Sequence, residues 1–193
     1  MPKQELQQAF TSFREECIWL RNCYNTYKSL FECGERTEKI LREAAELFFD
    51  DLNCILIEYI FLQICKITDP AETSGRANLT VKYLNNALED VHLFSEEIRE
   101  CSEGVLRYRE YIVGARNRLV SHLDLQAVLR REPIGEHAPH EVTAFFDNLQ
   151  KYCDAVGRAV GSGPLDFRCA PGKGDVEDLI NVLQRGINPV SFA

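Results

Sequence analysis

A chain of 193 residues with 45% hydrophobic content is long enough to bury one sizeable core, and nothing in its composition suggests disorder. Its 30 acids against 22 bases leave a net charge of −8. That balance excludes a protein that coats nucleic acid with its whole surface, because such binding rests on widespread phosphate neutralisation by lysine and arginine.

Most of the seven prolines and eleven glycines fall between Thr68 and Asn78 or after Glu132, which leaves long segments suited to helix. The fold class this predicts is all-α: an antiparallel helical bundle of about five main helices plus a short C-terminal helix. The first segment carries Leu6, Phe10, Phe13, Cys17, Leu20, Tyr24, Tyr27 and Phe31 at alternating steps of four and three, one face of a long amphipathic helix that Gly34 ends. A second helix is predicted from near Thr37, with a stripe of Leu41, Ala45, Phe48, Leu52, Ile55, Tyr59 and Leu62 and a stop at Lys66-Ile67-Thr68-Asp69-Pro70. Its run from Cys54 to Ile67 is too short to span a bilayer and is interrupted by Glu58, Gln63 and Lys66. Being apolar nearly all round, it is predicted to be the most buried element. So short a joint makes the two helices an antiparallel hairpin.

Thr68 to Leu79 reads as a polar loop. A third helix follows from about Thr80, with Leu84, Leu88, Val91, Ile98 and Cys101 inward and a break or weak point at Ser102-Glu103-Gly104. The fourth is rich in arginine, with Val105, Ile112, Leu119 and Leu123 able to face the core. After a loop from Arg130 to Pro139, a fifth helix runs from about His140 to Val160. The division this predicts is a bundle over 1–160 and an extension over 161–193. The short helix of that extension, opened by Asp175 and carrying Val176, Leu179, Val182 and Leu183, would pack on the same domain.

The N-terminus is polar and has no signal-peptide apolar region, so a cytoplasmic location is expected. None of the eight cysteines forms a C-x-x-C pair, and buried reduced thiols are the expected state, with no structural metal and no cofactor. His137-x-x-His140 with Glu136 and Glu141 falls short of a convincing ligand set.

Arg107 to Arg131 stands apart. It holds six arginines (107, 109, 116, 118, 130 and 131) against Glu110 and Asp124, a +4 segment in a chain of −8, leaving −12 elsewhere. At its centre lies Arg116-Asn117-Arg118-Leu119-Val120-Ser121-His122. A histidine can move protons near neutral pH, and an arginine can hold a phosphoryl group through paired N–H donors. Together they suffice for RNA cleavage without a metal, in which a base deprotonates the ribose 2′-hydroxyl and cations stabilise the charge that builds on phosphorus. Asn117 can orient the phosphate or the imidazole, and Ser121 or Asp124 can fix the tautomer. On a regular helix, Arg116 and His122 stand about 120° apart and ~9 Å along the axis, whereas Arg118 shares the face of His122. Either the helix is distorted there, or two copies of the chain build the site together.

Arg116-Asn117 followed by His122 resembles the motif of the HEPN superfamily: an arginine, a polar residue directly after it, and a histidine a few residues on. Ile67-Thr68-Asp69-Pro70, Thr73, Gly75-Arg76 and Asn78-Leu79-Thr80, joined to His122-Leu123-Asp124, resemble the abortive-infection AbiU-type branch over roughly Leu6 to Val160. The resemblance implies a dimeric helical bundle whose two motifs line one cleft, used as a metal-independent endoribonuclease in phage defence or a toxin–antitoxin setting. RNA, a second copy and an antitoxin protein are the partners it implies; no membrane is among them. It makes Arg116 and His122 the catalytic candidates and Asn117 their polar companion. Arg118, Arg109 and Arg76 are candidates for holding substrate, and Asp124, Ser121 and Asp69 for support. For Asp69, Arg76 and Asp124 a structural role is the favoured one, in which an Asp-Pro turn and an Arg–Asp pair lock the loop to the fourth helix. The alternative function is a non-catalytic dimeric module that binds a partner protein or a nucleotide.

Overall fold

The computed structural model describes residues 2–115, 139–166 and 172–187. The described chain is all-α apart from one minute hairpin. Its elements are α1 (Lys3–Phe31), α2 (Glu35–Thr68), β1 (Glu72–Thr73), β2 (Arg76–Ala77), α3 (Val81–Asp90), α4 (Glu96–Ala115), α5 (Pro139–Val160) and α6 (Val176–Ile187). No described helix is long and apolar enough to cross a membrane. The helices form two compact units, the first built from α1 up to Leu20 and from Phe61 through α5, the second from Arg21 to Ile60 with α6.

The first unit is an antiparallel bundle. α4 and α5 run opposite ways, with Glu97 paired to Arg158 at one end and the Tyr111 hydroxyl bonded to Glu141 Oε1 (3.4 Å) at the other. Between these ends the Tyr108 and Phe145 rings lie 5.1 Å apart. α1 is also antiparallel to α5: Gln7 Nε2 donates to Ser162 Oγ (3.2 Å), and further along Phe13 meets Tyr152 edge-on. The predicted α1 stripe is buried from Leu6 through Tyr24. Such an unbroken period gives each helix turn an apolar side chain to bury, each contributing roughly 1.5–3 kcal/mol. Tyr152 is fully buried, and its hydroxyl donates to Asn85 Oδ1 (2.9 Å); burial pushes its phenol pKa well up. Burial, reinforced by Cys153, also raises the Cys17 thiol well above its ordinary range, so it stays protonated. None of the described cysteines is in a disulfide.

The break expected at Ser102-Glu103-Gly104 lies earlier. α3 ends at Asp90 and α4 runs unbroken through those three residues. At the end of α3, His92 N–H bonds to Glu89 O and Leu93 N–H to Leu88 O, with His92 at φ 58°, a Schellman cap in which histidine holds the position glycine usually takes. Gly104 serves packing: a Cβ there would stand 2.5 Å from Asn148 Nδ2, across the α4–α5 contact.

Gly157 makes a tighter approach. A Cβ at this position would lie 2.5 Å from the backbone oxygen of Gly163, on the turn that returns over α5 and that Arg14 Nη1 also grips at 3.3 Å. Gly157→Ala gains helix propensity of about 1 kcal/mol but must displace that turn, an overpacking cost of roughly 1–3 kcal/mol or more. The net expectation is a protein less stable by about 1–2 kcal/mol in chemical denaturation; an unchanged or raised midpoint would show that the turn yields freely.

In the second unit, Leu30, Leu41 and Phe49 form a buried cluster against which Phe31, Ala44, Leu52, Leu56 and the α6 residues Val176, Ile180 and Leu183 pack. Asp175 caps α6 as the sequence suggests, accepting from Glu177 N–H at 2.9 Å. Leu179 and Val182 of the same helix are exposed.

α2 corrects the sequence reading most. Its predicted stripe is largely the open face: Phe48 is 60% exposed, Ile55 59% and Leu62 36%. The cause is Ala45, whose φ −168° and ψ 74° interrupt the helix and reset its phase. Before the kink Ile40 and Leu41 face inward; after it Phe49, Ile60, Ile64 and Cys65 do. The run from Cys54 is therefore not the most buried element, since Cys54, Ile55 and Glu58 are all exposed and burial begins only at Ile60.

Candidate functional site

Arg116, Asn117, Arg118, Ser121, His122 and Asp124 lie outside the described residues. Asp69, Arg76 and Arg109 lie within them: Asp69 and Arg109 meet where the end of α2 faces α4 in the first unit, and Arg76 lies on the hairpin of the loop after α2.

α2 stops at Thr68 because Asp69-Pro70 cannot continue it. A helix end leaves carbonyls without intrahelical partners and a partial negative charge. Arg109, from the middle of α4, answers both. Its Nη1 donates to Cys65 O (3.0 Å) and reaches Thr68 Oγ1 (3.4 Å), while Nη2 meets Asp69 Oδ1 at 2.7 Å. Thr68 Oγ1 can accept because it donates its own proton to Ile64 O (2.7 Å). The ion pair is largely sheltered, its side chains 19% and 25% exposed. One planar guanidinium thus clamps a helix terminus, a hydroxyl and a carboxylate, a task that suits the fork of arginine and not the point charge of lysine.

The loop beyond Asp69 is equally determined. Ser74 and Gly75, both at positive φ (52° and 76°), make the tight turn of a hairpin that pairs Glu72 with Ala77 and Thr73 with Arg76. Asn78 Nδ2 donates to Pro70 O (2.9 Å) and Thr73 Oγ1 (2.8 Å), and Asn78 N–H bonds to Ala71 O. Thr80 then caps α3 by accepting from Tyr83 N–H at 3.2 Å. Thr68, Asp69, Pro70, Thr73, Gly75, Asn78 and Thr80, singled out from the sequence as a group, each hold a place in this loop. Arg76 is exposed and makes no ion pair among the described residues, whereas the Arg109 guanidinium is engaged by α2 and Asp69.

Sequence reasoning overlooked the partners of Arg109. Asp69 lies 40 positions away and the Cys65 carbonyl carries no residue-type signal. An arginine next to buried Tyr108 and three residues before buried Ile112 was the available hint. His92 and His140 are both exposed, His140 against Glu141 at 3.5 Å, away from this cluster in role and company. Among the described residues no group of three His, Cys, Asp or Glu is placed to hold a metal ion.

The described course of α4 ends at Ala115, immediately before Arg116 in the chain. The clamp on Arg109 therefore fixes the helix that leads into the Arg116-Asn117 and His122 segment. No curated protein and no solved structure matches the chain. The HEPN family model described as AbiU2 does match, over residues 3–190, which takes in the tail beyond Gly161 as well as the bundle. The chain belongs to the AbiU2 family of HEPN proteins.

Proposed function

We propose that this protein is a metal-independent endoribonuclease acting in abortive infection, with RNA as substrate. The observation that carries the reading is membership of a HEPN family by a chain that has Arg116-Asn117 and His122 directly after a helix locked by Arg109 and Asp69. In this reading His122 transfers the proton of the ribose 2′-hydroxyl. The freed oxygen attacks the adjacent phosphorus, and the P–O5′ bond breaks as the departing 5′-oxygen takes up a proton, returned by the imidazolium or given by water, to leave a cyclic phosphate and a 5′-hydroxyl. Arg116 neutralises charge on the phosphoryl oxygens, Asn117 orients the group, and Arg118, four residues before His122 in the sequence, is the rival of Arg116 for the phosphate. Arg76 and exposed Arg107 supply positive charge toward RNA in an otherwise acidic molecule. Two copies would place their motifs in one cleft, and an antitoxin protein would restrain them in the cytoplasm.

The test is incubation of the purified chain with RNA in excess chelator. Products with cyclic phosphate ends support the reading; no cleavage in any buffer, with or without divalent cations, overturns it. The acidic balance favours a second reading, a non-catalytic dimeric module for a protein or nucleotide partner, which that outcome would leave standing.

A further inference from the structure

The phase reset at Ala45 leaves the second unit with an apolar face on α2 that is exposed among the described residues. Along the stretch Glu43–Glu58, three rows with seven-residue spacing share the exposed side of α2: Leu47 and Cys54, Asp51 and Glu58, Phe48 and Ile55. Leu47 is 80% exposed, Phe48 60% and Ile55 59%. The middle row is acidic, and neither Asp51 nor Glu58 makes an ion pair among the described residues. The stretch holds five acids, Glu43, Glu46, Asp50, Asp51 and Glu58, and no base.

We infer that this face docks a helix of another protein, one that carries a row of lysine or arginine between two apolar rows. Charge complementarity selects that occupant. An apolar row on either side of the carboxylates offers burial to a helix laid along α2, as in a two-stranded seam. The carboxylates reward only a partner with cations at the same spacing. A second copy of this chain would bring the Asp51 and Glu58 row against itself, so self-pairing here is disfavoured by its own charge. The inference is independent of whether the protein cleaves RNA, and its test uses no RNA.

The probe is a fluorescent synthetic helix of about three heptads with leucine rows flanking a lysine row, titrated with the full chain at physiological salt. Its control carries glutamate in place of lysine. The lysine peptide is expected to bind at least about tenfold more tightly than the control. Phe48→Ser with Ile55→Ser is expected to weaken it by about tenfold or more, and both positions are exposed enough to leave the fold intact. Asp51→Lys with Glu58→Lys should reverse the preference toward the glutamate peptide, a gain that misfolding cannot mimic. Equal binding of the two peptides, or reversal failing in the charge-swapped variant, overturns the inference. So does a dimer in light scattering that the Phe48→Ser and Ile55→Ser changes dissociate, because the face would then belong to a second copy.

Discussion

His122→Ala is expected to lower RNA cleavage by about 10³-fold, the range that a positioned general base contributes. Arg116→Ala is expected to do the same, since a preorganised cation on the charge-bearing oxygens is worth about 10²–10³-fold or more. Arg116→Lys should recover little of this, because a point charge cannot reproduce the bidentate fork. Arg118→Ala separates the two arginines: a loss equal to that of Arg116→Ala would move the phosphate contact to Arg118. Full activity in His122→Ala, with the variant shown to be folded, would sink the site. A mixing experiment then asks whose residues meet. If two copies build each site, combining inactive Arg116→Ala with inactive His122→Ala should restore about a quarter of the wild-type activity, because half the dimers are mixed and each of those has one intact site. No recovery on mixing would mean that each copy carries a complete site and that the helix departs from regular geometry between Arg116 and His122.

The elements most legible in the sequence are those whose signals are local. α1 has an unbroken apolar period and a terminating glycine, and its stripe is buried from Leu6 through Tyr24, with Tyr27 and Phe31 partly covered. α5 begins within a residue of its expected start, next to Pro139, and α6 opens on the expected Asp175 cap. The misreadings occur where a backbone event has no residue to announce it. Ala45 is an ordinary helix former, yet its dihedrals rotate the rest of α2, so a stripe of Phe48, Ile55 and Leu62 assigned to the core faces outward. His92 takes a left-handed cap without glycine, while the nearby Ser102-Glu103-Gly104 carries the look of a break and is helix throughout. The site divides in the same way. Its motif residues, Arg116, Asn117 and His122, are near neighbours in the chain and were readable as a spacing. The clamp on the helix that precedes them in the chain joins positions 65–69 to 109, and no local pattern encodes such a pairing.

That clamp has the largest expected effect on stability. Arg109→Ala removes a charged donor from Cys65 O and Thr68 Oγ1 and takes away the Arg109–Asp69 ion pair. Hydrogen bonds to charged groups are worth roughly 1.5–3 kcal/mol, and removing one partner of a fully buried pair costs roughly 3–5 kcal/mol. With side chains 19% and 25% exposed, this pair belongs below the fully buried case, so the expected loss is about 3 kcal/mol. In a chain of this size that is a fall in Tm of about 6–12 °C. Arg109→Lys should keep the attraction to Asp69 and lose the second arm of the fork, placing it between wild type and alanine. Asp69→Ala combined with Arg109→Ala should cost less than the two single changes added together, by about 1–2 kcal/mol, because the pair is lost only once. Exposed Arg107, two residues earlier, provides the contrast, with Arg107→Ala expected within about 0.5 kcal/mol of wild type. The same variant decides how Arg109 matters to RNA. If its role is to seat α4, cleavage by Arg109→Ala measured well below its melting range should stay near wild type. A large loss of cleavage at a temperature where the variant is fully folded would instead place the guanidinium on the substrate, at the cost of the clamp that holds α2 to α4.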